Sequence, residues 1–260
     1  MAERKKIDTS KLEYTQENAS WINDIDLSKI DDKILRIVKF YVIENPVLHV
    51  SSRRKGLRTY GWAKDTPNKY LINKLLEIAA LKQGETLFTC KSREGEKDLF
   101  ENANMHSQFY NHVHENRIAL VNSDNLICGI FRHIRNALAH CRAEILTISG
   151  EDFFIFENGM GYNNKFEVKS RMVLKKETLI CWIDFVETGA EFEKEDQEKK
   201  RRQEEECVLT IIKNGNKLSK DSIKAQANMT FSKFNAAIGR LKDKGIIHFD
   251  TQNKEWKLSA

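Results

Sequence analysis

Residues 131–142 read FRHIRNALAHCR. Two arginines, two histidines and an asparagine interrupt an apolar series that runs Leu126, Ile127, Ile130, Phe131, Ile134, Leu138 at helical spacing. With about 100° between successive helical residues, Arg132, Asn136 and His140 form one stripe at i, i+4 and i+8, and Arg135 lies beside it within reach of the same surface. The apolar residues make an inner face, so the polar stripe is a second face with its own purpose. A histidine titrating near neutrality can pass protons at pH 7. An arginine offers a permanent charge in a planar fork suited to phosphate. Together these groups meet the needs of RNA cleavage, because RNA carries its own nucleophile in the ribose 2′-OH. An enzyme has only to move that proton and stabilise the crowded, negatively charged phosphorane. No metal is required, and the sequence offers no convincing metal cage. The same residues would also serve as a buried polar network, with Asn136 hydrogen-bonded, Arg135 paired with an acid and His140 capping carbonyls.

Other stretches carry weaker signals. His106, His112 and His114 cluster, but His112 and His114 point about 200° apart on a helix, which argues for a polar surface rather than a ligand set. SSRRKGLRTYGWAK combines Arg53, Arg54, Lys55, Arg58 and Lys64 with Tyr60 and Trp62. That mixture fits single-stranded RNA, and equally a basic loop that packs its aromatics into the core. Gly159-Met-Gly161 follows a strand but opens no helix, so turn chemistry accounts for it.

The elements that must position the stripe follow from periodicity. Ile30, Ile34, Ile37, Val38 and Tyr41 predict a helix capped at Ser28 and stopped by Asn45-Pro46. A second helix is expected over about 68–83, a short strand in GETLFTC, and a third helix over roughly 97–118. The stripe helix should start at Ser123 or Asp124. EILTIS, DFFIFE and KFEVK read as strands, with Ser149-Gly150 and Asn158-Gly159 as the turns between them. Residues 176–190 return to helix. EFEKEDQEKKRRQEEE, residues 191–206, has almost no apolar groups and i,i+4 pairs such as Glu195–Lys199 and Glu198–Arg202, which suits an exposed helical spacer at a domain boundary.

At 260 residues, 40% hydrophobic and 31% charged, the chain suits one large domain plus a small one. No apolar run reaches the roughly 20 residues of a membrane span, and MAERKKIDTSKLEY lacks the apolar core of a secretory leader. Five widely spaced cysteines without a CxxC read as reduced thiols of a cytosolic protein.

The last 55 residues or so have their own pattern. Helices near 205–213, from Ser219 and from Thr230 precede two strands, GIIHFD and KEWKLS, turned at Thr251-Gln252-Asn253. Residues 207–260 hold ten Lys/Arg against four Asp/Glu, a net of +6 in a chain whose total is +5. This order of elements resembles a winged helix-turn-helix domain. The resemblance implies a nucleic-acid surface on which Lys233 and Arg240 from the third helix and Lys254 and Lys257 from the wing meet phosphates.

Arg135-Asn136-Ala-Leu-Ala-His140 in turn resembles the R-N-x-x-x-H signature of HEPN (higher eukaryotes and prokaryotes nucleotide-binding) domains, many of them metal-independent ribonucleases. The likeness is strongest over about 97–190. It implies a HEPN-like helical bundle over 97–190; the β-meander read at 145–169 departs from the family pattern and is expected as an insertion in that bundle, making the chain mainly α (α+β). Before it lies an N-terminal helical region (1–96) of unassigned role, and after it a charged linker (191–206) and the winged helix (207–260). It implies His140 as general acid/base, Arg135 as phosphate clamp and Asn136 as its orienting partner, with Arg132 and His133 as auxiliary substrate contacts. No cofactor or metal is called for. RNA is the implied substrate, with a homodimer whose two motifs form one cleft, DNA or RNA at the winged helix, an antitoxin or other regulatory partner, and a toxin or antiviral-defence role. The competing expectation is a DNA-binding transcriptional regulator whose HEPN-like part only dimerises or senses a ligand.

Overall fold

Phe153, Phe154, Ile155 and Phe156 are consecutive, and a strand sends successive side chains to opposite faces, so a strand built from them must be covered on both sides. All four are buried, in a central strand of the main sheet. The computed structural model describes residues 13–14, 30–47, 55–91, 96–106, 114–121, 125–162, 165–214 and 220–259. In chain order the elements are strand β1 (Glu13–Tyr14), helix α1 (Asp32–Val38) continued by a π-helical turn (Lys39–Ile43), a 3-10 turn (Leu57–Tyr60), α2 (Lys69–Ile78), β2 (Leu87–Cys90), α3 (Glu96–Asn102), β3 (Arg117–Val121), α4 (Leu126–Ala139), β4 (Ala143–Ile148), β5 (Glu151–Tyr162), β6 (Lys165–Lys175), α5 (Lys176–Asn214), α6 (Lys220–Ala227), α7 (Phe231–Asp243), β7 (Ile247–Asp250) and β8 (Glu255–Leu258). The architecture is α+β, in two compact units, Met1–Ala190 and Glu191–Ala260.

The larger unit is built on a mixed sheet in the order β2-β3-β6-β5-β4, with β1 pairing in parallel with β6. β2 and β3 are parallel and the remaining neighbours antiparallel. Ile118, Leu120, Phe154, Phe156, Met172 and Leu174 face one side and share a core with α1, α2, α4 and α5. Ala119, Phe153, Ile155, Val168 and Val173 face the other side, with Leu99 and Phe100 of α3. Ile34, Ile37, Leu71 and Leu75 lie in the same cluster as Ile130 and Ile134 of α4, so the segment before residue 97 is part of the core that carries the stripe helix.

Several expectations are corrected by this sheet. The strands after α4 are not an insertion in a helical bundle: β5 and β6 occupy its middle, and α4 packs on β5. The helix expected over 97–118 ends at Asn102. There Asn104 takes a left-handed φ of +53° and the Met105 N–H closes on the Phe100 carbonyl at 2.7 Å. Arg117–Val121 is instead a strand, its Ile118, Ala119 and Leu120 fully buried between β2 and β6. Asn158-Gly159 is no turn; it sits inside β5 at a register shift. A Cβ at Gly159 would stand 2.2 Å from the Glu167 carbonyl oxygen, so the close strand approach itself demands glycine. Ser149-Gly150, with φ of +54° and +82°, does make the β4–β5 turn. α1 is capped by Asp31, which accepts from the Ile34 N–H at 2.8 Å; Ser28 lies outside the described residues.

α5 is one helix of 39 residues, so the charged stretch is continuous with the helices on either side of it. The Glu198–Arg202 pair forms at 3.3 Å and Asp196–Lys200 at 2.7 Å. Among the described residues no helix is long and apolar enough to cross a membrane. In the smaller unit Val208 and Ile212 from the end of α5 pack with Ile223, Phe234, Ile238, Leu241 and Ile247. Thr230 caps α7, and Asp250 accepts the Gln252 and Asn253 N–H groups to close the β7–β8 turn.

Asn45 ties the π-helical turn to α4. It is fully buried, donates from Nδ2 to the carbonyls of Tyr41 (3.0 Å) and Phe131 (3.2 Å), and accepts the Val47 N–H at 3.0 Å. Asn45→Ala removes three buried hydrogen bonds and should destabilise the protein by roughly 2–4 kcal/mol in urea unfolding. A loss below about 1 kcal/mol would show that the tie is not needed.

Candidate functional site

The stripe helix forms where the apolar spacing places it. Asn125 caps it, accepting from the Ile127 N–H at 3.1 Å, whereas the expected Ser123 and Asp124 lie outside the described residues. Ile127, Ile130, Phe131, Ile134 and Ala137 are buried, which turns the polar side chains away from the core. Arg135 and Asn136 are half-buried, and Arg135 donates from Nη1 to the Asn136 side-chain oxygen at 3.1 Å. That bond goes to an amide, not to a carboxylate. The Arg135 Nε is buried and has no hydrogen-bond partner among the described residues. One turn further on, His140 is the C-cap of α4; its backbone N–H donates to the Asn136 carbonyl at 3.0 Å and the residue is exposed. The structure therefore brings Arg135 into contact with Asn136 and leaves the His140 imidazole open to solvent at the end of the same helix. Arg132 is half-buried one turn before Asn136.

His133 is half-buried against the sheet. Its Nδ1 lies 2.8 Å from the Asn158 amide nitrogen at the β5 bulge, and the Val121 backbone at the end of β3 bonds the ring as well. A carbonyl accepts, so the ring donates to Val121 and Nδ1 accepts from Asn158, which is the neutral tautomer. Burial, with the Arg132 charge adding to it, pushes the imidazole pKa down to about 4. At neutral pH this histidine is an uncharged strut between α4 and two strands, rather than a cation offered to a substrate.

A group that the spacing does not reveal lies behind the end of α4. Glu157 and Arg171 are cross-strand neighbours on β5 and β6 and are completely buried. Arg171 donates from Nε to Glu157 Oε2 at 3.1 Å, its Nη2 is equally close, and its Nη1 donates to the Met105 carbonyl at 2.9 Å. Arg142, three residues past the helix, places Nη1 3.5 Å from the other carboxylate oxygen, Oε1, and stacks its guanidinium 3.7 Å from the Phe166 ring centre. The signal in the sequence is a charged residue at the end of DFFIFE and another inside KSRMVL, but only the strand register shows that they meet.

The nucleic-acid candidates of the small unit are largely held by its own acids. Arg240 donates to Glu205 (2.8 Å) and Glu204 (3.2 Å), and Lys233 is 3.6 Å from Glu204. Lys257 pairs with Asp250 at 2.7 Å and Glu255 at 3.0 Å, and its hydrogen bond is the main cause holding the Asp250 carboxyl below its ordinary range. Lys254 is exposed in the hairpin turn at φ +54°. In the basic stretch of the large unit, Trp62 is buried and donates to the Val186 carbonyl at 2.8 Å, while Tyr60 donates to the Glu44 carbonyl at 2.7 Å. Those aromatics pack inward; Arg53 and Arg54 lie outside the described residues, as does His112, and His106 and His114 are exposed. Among the described residues no group of three His, Cys, Asp or Glu side chains could hold a metal ion. Comparison with protein-family models, curated proteins and solved structures finds no match to the chain.

The strut predicts a pH dependence. A folded pKa of about 4 lies below the ordinary 6.5, so the unfolded chain takes the proton first and stability is complete only above pH 6.5. As pH falls from there toward 4, roughly 3 kcal/mol should be lost at this site. Urea midpoints of wild type should decline over that range more steeply than those of His133→Gln. Parallel declines would show that His133 titrates normally.

Proposed function

We propose that the chain is a metal-independent endoribonuclease that uses the HEPN-type Arg-Asn-x-x-x-His set, carried here on a helix packed against a mixed sheet in place of the family's helical bundle. The observation that carries this reading is the Arg135–Asn136 side-chain contact at 3.1 Å on the polar face of α4, with His140 exposed at the end of the same helix. In this reading the His140 imidazole takes the proton of a ribose 2′-OH, whose oxygen attacks the adjacent phosphorus. The 5′ oxygen leaves with a proton, giving a 2′,3′-cyclic phosphate and a 5′-hydroxyl. Arg135 balances the charge gathering on the phosphorane, and Asn136 holds the guanidinium in place. Arg132 adds charge toward the backbone, and His133 acts by fixing α4 rather than by touching RNA. One imidazole cannot be base and acid in the same step, so a homodimer that faces two stripes would supply both. A cytosolic toxin or antiviral effector, restrained by an antitoxin or another regulatory partner, is the setting in which such an RNase would work.

The smaller unit supports a second reading. Its three helices and hairpin, the order of a winged helix-turn-helix, and its net charge of +6 over residues 207–260 suit nucleic acid. A dimeric DNA-binding regulator would use that surface and need no chemistry at α4. Lys233, Arg240 and Lys257 would then have to exchange acidic partners for phosphates, while Lys254 is exposed at the turn.

Incubating end-labelled total RNA with the protein in EDTA separates the two. Wild type should cleave and leave cyclic phosphate ends, and His140→Ala should lower the rate by roughly 10²–10⁴-fold, as loss of a general acid/base does. Arg135→Ala should lose cleavage too. Activity that survives both substitutions would mean that α4 is not the site. An inert wild type that binds duplex DNA would favour the regulator.

A further inference from the structure

The helix that carries His140 ends through a left-handed residue immediately after it. Arg142 N–H reaches back to the Ala137 carbonyl at 2.7 Å and Cys141 N–H to the Leu138 carbonyl at 3.3 Å, the paired bonds that end a helix through a left-handed residue. That residue is Cys141, with φ of +52°, where glycine is the ordinary choice. A side chain in this conformation is strained, and here the turn is also held from outside.

Arg142 does the holding at both its main chain and its side chain. Its carbonyl accepts the Glu157 N–H at 3.0 Å, and its guanidinium lies between Glu157 Oε1 (3.5 Å) and the Phe166 ring (3.7 Å). Glu157 cannot drift, because Arg171 holds its other oxygen and is itself held by the Met105 carbonyl. The Glu157 carboxylate lies near both guanidinium groups. Arg171 and Glu157 are both at 0% exposure and make a neutral pair on their own, whereas Arg142 keeps 13% of its side chain in solvent. Neutralising Glu157 therefore does not require Arg142.

We propose that Arg142 is a positioning residue for His140, clamping the strained turn to Glu157 and Phe166 so that the imidazole keeps one place relative to Arg135. This rests on the reading of His140 as the general acid/base. Placement of that kind changes the rate of the chemical step and leaves RNA affinity alone, because the Arg142 guanidinium is turned in against Glu157 and Phe166.

The test compares Arg142→Met and Arg142→Lys with wild type in metal-free cleavage of a defined RNA, together with thermal unfolding. Met keeps the packing on Phe166 and loses the ion pair; Lys keeps the charge within reach of Glu157. Arg142→Met should lower kcat at least about tenfold, change KM by less than about twofold, and still unfold within a few degrees of wild type. Arg142→Lys should recover most of kcat. An unchanged kcat in Arg142→Met, a change confined to KM, or a lost kcat that Arg142→Lys does not recover would each overturn the inference while wild-type cleavage stands. A wild type inert toward RNA would overturn the ribonuclease reading itself, and this inference with it.

Discussion

His133 is hydrogen-bonded to two strands at once, to the Asn158 amide on β5 and the Val121 backbone on β3, and the rest of the site depends on that contact. A helix packed on a sheet by apolar side chains alone could roll by a fraction of a turn at little cost. A directional bond on each side of the imidazole removes that freedom. Asn45 adds a further fixed point by bonding the Phe131 carbonyl. With the inner face of α4 held in this way, Arg135 and Asn136 are half-buried on its other face and the helix ends at the exposed His140. The neutral state of His133 follows from the same burial that makes the strut rigid.

Much of α4 was legible beforehand, because its apolar residues recur at helical spacing over the whole element and its polar residues fall on one side. The first half of β5 and the first half of β6 were legible from strand-like apolar runs, but the continuation of β5 to Tyr162 and of β6 to Lys175 was not; α7 and the β7–β8 hairpin with its Asp250-to-Asn253 turn were legible. Arg117–Val121 was not. RIALV is a short apolar run, and such a run suits a buried strand or a helix until its neighbours are known. Asn158-Gly159 misled in a different way. The pair has the chemistry of a turn, yet here the glycine is needed for strand approach and the asparagine for a bond to a residue 25 positions away.

The candidate site shows the same division. Arg135, Asn136 and His140 are near neighbours on one helix, so spacing alone puts them together. His133 lies among them in sequence and at the edge of the same face, and only the packing shows that its ring is taken up by Asn158 and Val121 of the sheet. Glu157, Arg171 and Arg142 belong to three different segments and meet through strand register, which one sequence does not reveal. Glu157 and Arg171 are fully buried as a hydrogen-bonded pair, and removing one partner of such a pair costs roughly 3–5 kcal/mol.

The central claim is that the reacting nucleophile belongs to the RNA and that α4 supplies only a proton carrier and a charge clamp. The most direct measurement replaces the nucleotide on the 5′ side of a mapped cleavage position with its 2′-deoxy form, in an otherwise unchanged RNA. Cleavage at that one position should vanish while neighbouring positions still react. Continued cleavage there would mean that water or a protein group attacks the phosphorus, and the roles given to His140 and Arg135 would be wrong.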